Sequence, residues 1–238
     1  MGNSGLKQHY EVAKKTGTLN LSHRNLNEFP QQLGSLVAFL RTLNLSDNKF
    51  SRLPLEIERF TLLKQLNVSA NRLTELPDVI GALLKLESLN ASANQICTLP
   101  MSLSKLTHLK QVNLSDNRIT EFPQMFCGLK HLDVLDLSHN RLTAVPDGAR
   151  ELHVIELNLN QNQITILSDQ LADCPRLKTL RLEENCLQLE AIGRRILEDS
   201  NISMLAVEGN LFEMKRFPDA EGYDKYMERY TAVKKKMF

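Results

Sequence analysis

With 238 residues, 42% of them apolar, the chain can bury a substantial core and is too apolar to be disordered. Lys and Arg number 29 against 28 Asp and Glu, and the formal charge of +1 gives no global field to draw in nucleic acid or anionic lipid. With no Trp and 5% aromatic residues, platforms for stacking bases are scarce, which argues against nucleic acid as a partner.

The chain opens Met1-Gly2-Asn3-Ser4-Gly5-Leu6-Lys7, similar to an N-myristoylation signal except that Leu6 stands where Ser or Thr is usual. Gly2 is therefore the candidate lipidation site. One myristoyl chain binds membranes only reversibly, with an association constant on the order of 10⁴ M⁻¹, so a second signal is required. Lys7, Lys14 and Lys15 at one end and Lys234, Lys235 and Lys236 at the other could supply it, as a peripheral contact with an anionic membrane. Leu6, Tyr10 and Ala13 recur at i, i+4 and i+7 between Ser4, a possible N-cap, and Gly17. That pattern predicts a helical cap over 1–16.

A repeat follows over 17–212. Asn48, Asn71, Asn94, Asn117 and Asn140 recur every 23 residues, and Asn162, Asn185 and Asn210 continue at 22, 23 and 25. Each has apolar residues eight, five and three places before it and two after, as with Leu132, Leu135, Leu137 and Leu142 around Asn140, which spells L-x-x-L-x-L-x-x-N-x-L. The L-x-L pair alternates with period two and predicts a short inward-facing parallel strand in every coil. The asparagine, both donor and acceptor, can satisfy backbone groups in the turn. Pro54, Pro77, Pro100, Pro123 and Pro146, each six places after an asparagine, begin tight 3₁₀ or helical returns. Arg24 holds the asparagine's place in the first coil and cannot accept a hydrogen bond, so that coil should bend differently. Beyond Phe212 the period stops. Residues 213–238 are expected to form a helical cap and basic tail, with an amphipathic helix over 219–233 carrying Tyr223, Tyr226 and Tyr230.

The runs Leu40-Arg41-Thr42-Leu43-Asn44-Leu45-Ser46-Asp47-Asn48 and Leu53-Pro54 resemble the intracellular 23-residue class of leucine-rich repeats found in Ras-associated scaffold proteins. The resemblance implies an α/β solenoid, a curved horseshoe with a concave parallel sheet of about nine short strands and 3₁₀ or helical convex segments, capped by terminal helices. In that class ligands usually lie on the concave face. The face positions here are Asn44, Asn67, Asn90, Asn113, Asp136, Asn158 and Arg181, with Glu156, Glu183, Glu184 and Glu208 adding charge in the last coils. These are the candidate binding residues.

The six histidines share no motif with a nucleophile or a metal ligand, and no P-loop, G-x-S-x-G or HExxH is present. Cys97, Cys127, Cys174 and Cys186 form no CxxC pair, and no signal peptide or run of about 18 apolar residues is seen. The expectation is a monomeric, non-enzymatic scaffold that uses neither cofactor nor metal, its thiols free. It would bind a protein partner in the cytoplasm, lipid-anchored to the cytoplasmic face of a membrane. The alternative is a regulatory or inhibitor subunit that occludes an enzyme's active site.

Overall fold

The leucines three and five places before each asparagine all face inward. In the computed structural model, which describes residues 3–236 with side chains from residue 8 onward, Leu43, Leu45, Leu66, Val68, Leu89 and Ala91 are each 1% exposed or less. The chain divides into two units, Met1–Asn117 and Arg118–Phe238.

The first unit begins with helix α1 (Asn3–Thr16), which buries Tyr10 and Ala13. Gly17 ends it in the left-handed region at φ 71°. Its N–H returns to the Ala13 carbonyl at 2.8 Å, and its own carbonyl accepts from Arg41 and Thr42 at 2.7 and 3.0 Å. Strands β1 (Thr18–Asn20), β2 (Thr42–Asn44), β3 (Gln65–Asn67), β4 (Ser88–Asn90) and β5 (Gln111–Asn113) then pair in parallel, with Leu19, Leu43, Leu66, Leu89 and Val112 in register. The 3₁₀ segments Leu55–Arg59, Asp78–Ala82 and Met101–Lys105 follow Pro54, Pro77 and Pro100. Each proline carbonyl accepts from the third residue on, which drives Ile57, Ile80 and Leu103 into the core.

The second unit repeats the plan with β6 (Val134–Asp136), β8 (Glu156–Asn158), β10 (Thr179–Arg181) and β11 (Met204–Ala206). A separate parallel pair, β7 (Ala144–Val145) with β9 (Ile166–Leu167), was not expected from the period. The series of prolines six places after an asparagine stops at Pro146, and in the next coil Ser168 takes that place: its hydroxyl accepts from the Gln170 N–H at 3.1 Å and donates to Asp147 Oδ1 at 2.6 Å. A short helix α2 (Arg194–Glu198) precedes β11, and helix α3 (Tyr223–Lys234) follows it. Helix α3 starts four residues later than expected, because Met214–Asp219 forms its own 3₁₀ turn and Gly222, at φ 90°, breaks the chain before Tyr223. Helix α3 ties β11 and α2 together. The Tyr226 hydroxyl accepts from the Leu205 N–H at 3.1 Å, and the Arg229 guanidinium donates to the carbonyls of Leu197, Glu198 and Ile202.

The asparagine ladder is the same in both units. Asn48 Nδ2 donates to the carbonyls of Leu21, Leu45 and Ser46 at 2.9–3.1 Å. Its Oδ1 accepts from the N–H groups of Arg24 and Leu26, so the neighbouring coil serves the turn that Arg24 cannot. The residue before each asparagine is left-handed: Asp47, Ala70, Ala93 and Asp116 in the first unit and His139, Gln161 and Glu184 in the second lie at φ 51–54°. The first coil carries two such residues, His23 and Asn25, the different bend that Arg24 implied.

Candidate functional site: the strand faces

Side chains that alternate with the buried leucines project from the sheet of each unit. In the first, the row Asn44, Asn67, Asn90 and Asn113 is half-buried, with Ser46, Ser69, Ser92 and Ser115 two residues on. Every one of these asparagines accepts, through Oδ1, the backbone N–H of its serine at 2.9–3.0 Å. Asn67, Asn90 and Asn113 accept the serine hydroxyl as well, at 2.7–2.8 Å. This local turn consumes the oxygen and the hydroxyl proton. What remains outward is an amide NH₂ that donates and a serine oxygen that accepts. The face is uncharged and its rotamers are held.

The second unit keeps the turn and changes its chemistry. Asp136 Oδ1 accepts from the Ser138 N–H and hydroxyl at 2.9 and 2.7 Å, which leaves a carboxylate oxygen where the first unit has an NH₂. Asn158 accepts from the Asn160 N–H at 3.1 Å. Strand register places Glu156 between Val134 and Thr179, and Asn158 between Asp136 and Arg181. Arg181 Nε lies 2.9 Å from Glu156 Oε1, so this acid is balanced where it stands. Asn160 clasps Glu183 reciprocally, donating to its Oε2 at 2.5 Å and accepting from its N–H at 2.8 Å. Gln161 donates to Glu184 Oε2 at 2.7 Å, and Glu208 accepts from the Val207 N–H at 3.1 Å. Among the described residues none of Glu183, Glu184 and Glu208 pairs with a cation.

Asn160 and Gln161 therefore orient the two acids, a role the residue pattern had signalled without its being read: Asn160 interrupts the serine series that runs from Ser22 to Ser138. The cap contacts of Arg229 had no such signal, because they depend on where α3 packs.

Gly2 lies outside the described residues, as does the side chain of Lys7. Lys14 is tied to Glu11 at 2.8 Å, which lowers the Glu11 pKa, and Lys234 stacks over the Tyr230 ring at 4.7 Å. The four cysteines are free thiols. Burial raises the pKa of Cys127 to about 11 and of Cys174 to about 12. Among the described residues no helix is long and apolar enough to cross a membrane, and no group of three or more His, Cys, Asp or Glu could hold a metal ion.

A stack of parallel strands, one per coil, each backed by a 3₁₀ return and a buried asparagine, defines a repeat solenoid. Models of the leucine-rich repeat match residues 85–142 and 130–187, and a further one matches residues 39–60. The chain belongs to the leucine-rich-repeat family. Among solved structures it is similar to a leucine-rich-repeat protein of Leptospira interrogans, 26% identical over 88% of this chain and 59% of that one, with a TM-score of 0.76. An internalin of Listeria monocytogenes is 23% identical over 88% and 59%, with a TM-score of 0.73. The leucine-rich-repeat domain of APL1B is 22% identical over 88% and 60%, with a TM-score of 0.70. The chain thus spans about three-fifths of the length of these structures. Leucine-rich-repeat proteins generally mediate protein–protein interaction, and relatives of this fold are typically non-enzymatic scaffolds.

Proposed function

We propose that the chain is a non-enzymatic scaffold that binds a protein partner on its strand face, with the second unit as the contact surface and a basic or mixed-charge segment of the partner docked at Glu183 and Glu184. The observation that carries this reading is the clasp of Asn160 and Gln161 on those acids, together with the lack, among the described residues, of a cation on either. Acids held in one rotamer lose little entropy when a partner's lysine or arginine arrives. Asn44, Asn67, Asn90 and Asn113 extend the same kind of surface as a neutral polar row, and Asp136, Glu156, Asn158, Arg181 and Glu208 complete the charged one.

The test is charge reversal. Interaction partners crosslinked in cells to the wild-type chain are compared with those of the variant carrying Glu183→Lys and Glu184→Lys; recovery of the same partners sinks the reading. An enzyme among those partners, inhibited at a stoichiometric ratio, would replace the scaffold by an inhibitor subunit. In the same proposal 17–212 is the repeat region between the caps 1–16 and 213–238, the chain acts as a cytoplasmic monomer, and Gly2 carries a myristoyl group that brings it to the cytoplasmic face of a membrane. Intact-mass measurement of the protein from eukaryotic cells reads that group directly, and a free Gly2 amine removes it from the proposal.

A further inference from the structure

One edge of the first unit carries charge and apolar surface that neither the core nor the strand face uses. It is traced by the residues seven places before each asparagine: Arg41, Lys64, Glu87 and Lys110. Backbone hydrogen bonds join them in one line, from Arg41 N to Gly17 O, Lys64 N to Arg41 O, Glu87 N to Lys64 O and Lys110 N to Glu87 O, all 2.7–2.8 Å. Glu87 is the acid on this line, and two cations hold it, with Lys64 and Lys110 each 2.8 Å from one of its oxygens. Two residues before Gly17, Arg41 and Glu87 come Lys15, Phe39 and Lys85. Lys15, Arg41 and Lys85 are exposed and form no ion pair among the described residues. Between them Phe39 is 44% exposed and Leu84, next to Lys85, 54%.

We propose that this edge docks on an anionic lipid bilayer, with Lys15, Arg41 and Lys85 at the headgroups and Phe39 and Leu84 in the interfacial layer. Cations alternating with large exposed apolar side chains match a surface that offers phosphate outside and hydrocarbon beneath. A nucleic acid or an acidic peptide would engage the cations alone and give Phe39 and Leu84 no apolar layer to enter. The proposal rests on the membrane part of the function proposed above, for which it supplies the second signal that a single acyl chain requires. It assigns that signal to the edge, whereas Lys14 and Lys234 are already engaged by Glu11 and Tyr230.

The chain has no Trp, so Phe39→Trp introduces a single tryptophan. The unacylated protein is mixed with vesicles rich in phosphatidylserine, with pure phosphatidylcholine vesicles, and with heparin. The expected result is a blue shift and quenching by brominated lipid with the anionic vesicles alone, while Ile166→Trp, an exposed position in the second unit, stays in water. Adding Arg41→Gln and Lys85→Gln should weaken partitioning roughly 25-fold, the equivalent of ~1 kcal/mol for each cation near the surface. Three results overturn the proposal: no binding to the anionic vesicles, binding without a shift at Phe39→Trp, or binding unaffected by the two glutamines. A shift with heparin and not with vesicles assigns the edge to a soluble polyanion and overturns it as well. Because the protein used carries no acyl chain, failure here is distinct from a free Gly2 found by mass measurement.

Discussion

The two units share a scaffold and differ in what they display. Asn94 in the first and Asn185 in the second make the same contacts, three backbone carbonyls through Nδ2 and one N–H from the preceding coil through Oδ1. On the strand face the same side chain–backbone turn is built from Asn67 in one unit and Asp136 in the other. The turn needs only an oxygen two residues before the N–H it accepts, so either residue serves the fold. The second atom of the head group, nitrogen or oxygen, is left to face solvent. A repeat protein can thus vary its surface charge coil by coil without disturbing the ladder beneath.

The strongest way to break that comparison is to attack the ladder in each unit. Asn94→Leu and Asn185→Leu keep the branching of the side chain and remove every one of these hydrogen bonds, and a buried backbone group left unsatisfied costs ~1–3 kcal/mol. Each variant should lose roughly 3–5 kcal/mol, with several groups orphaned at once. Urea unfolding followed by circular dichroism measures it. A large loss in one unit and none in the other would show that the scaffold is not shared.

A smaller loss tests the end of the second unit. Arg229→Met removes three donors from the carbonyls of Leu197, Glu198 and Ile202. Hydrogen bonds from a charged group contribute ~1.5–3 kcal/mol, so a loss of about 2–4 kcal/mol is expected, seen first as faster hydrogen exchange over residues 197–206. In the first unit the corresponding device is Gly17, whose Cβ, if present, would meet the Phe39 carbonyl at 3.1 Å. Gly17→Ala should cost about 1–2 kcal/mol from the left-handed backbone.

These devices were legible to different degrees. The period exposed the strands, the leucines and the buried asparagines, because each coil meets the same neighbours and so repeats the same residues. The proline at a constant offset marked the 3₁₀ returns for the same reason. Gly17 could be placed because a helix end needs a left-handed residue there. Arg229 could not be, since its partners are carbonyls 27–32 residues away that have no side-chain signature. The face residues could be located by alternation, but the pairing of Glu156 with Arg181 could not: it runs diagonally between β8 and β10, whose register sets Thr179 beside Glu156 and Asn158 beside Arg181. Register between coils of 22, 23 and 25 residues is a spatial fact that alternation within one strand does not carry.

The thiols offer a test confined to the second unit. Cys127 and Cys174, 8% and 1% exposed, keep their protons to about pH 11 and 12 against an ordinary value of 9. Unfolded thiols ionise first, so above about pH 9 the unfolded chain binds fewer protons and stability falls as pH rises toward 11–12. Replacing Cys127 and Cys174 by Ala should flatten that alkaline slope. At neutral pH a thiol reagent should label exposed Cys97 in the native protein and reach Cys127 and Cys174 only on unfolding. Fast native labelling of Cys174 would contradict the packing of its coil.

The smallest expected effect is the most discriminating for the division between scaffold and face. Asn90→Asp places in the first unit the head group of the second, and Asp136→Asn does the reverse. Both keep Oδ1 where it accepts from the serine N–H and hydroxyl, at 2.9–3.0 and 2.7–2.8 Å. An ionised acceptor makes the stronger bond, so Asn90→Asp should stabilise slightly and Asp136→Asn destabilise slightly, each within ~0.5 kcal/mol, as for surface substitutions away from special features. Opposite signs of that size mean that the outward atom is free to be chosen for a partner. A loss above about 1 kcal/mol in either would mean that the outward atom also supports the neighbouring coil, and the face would then be part of the scaffold.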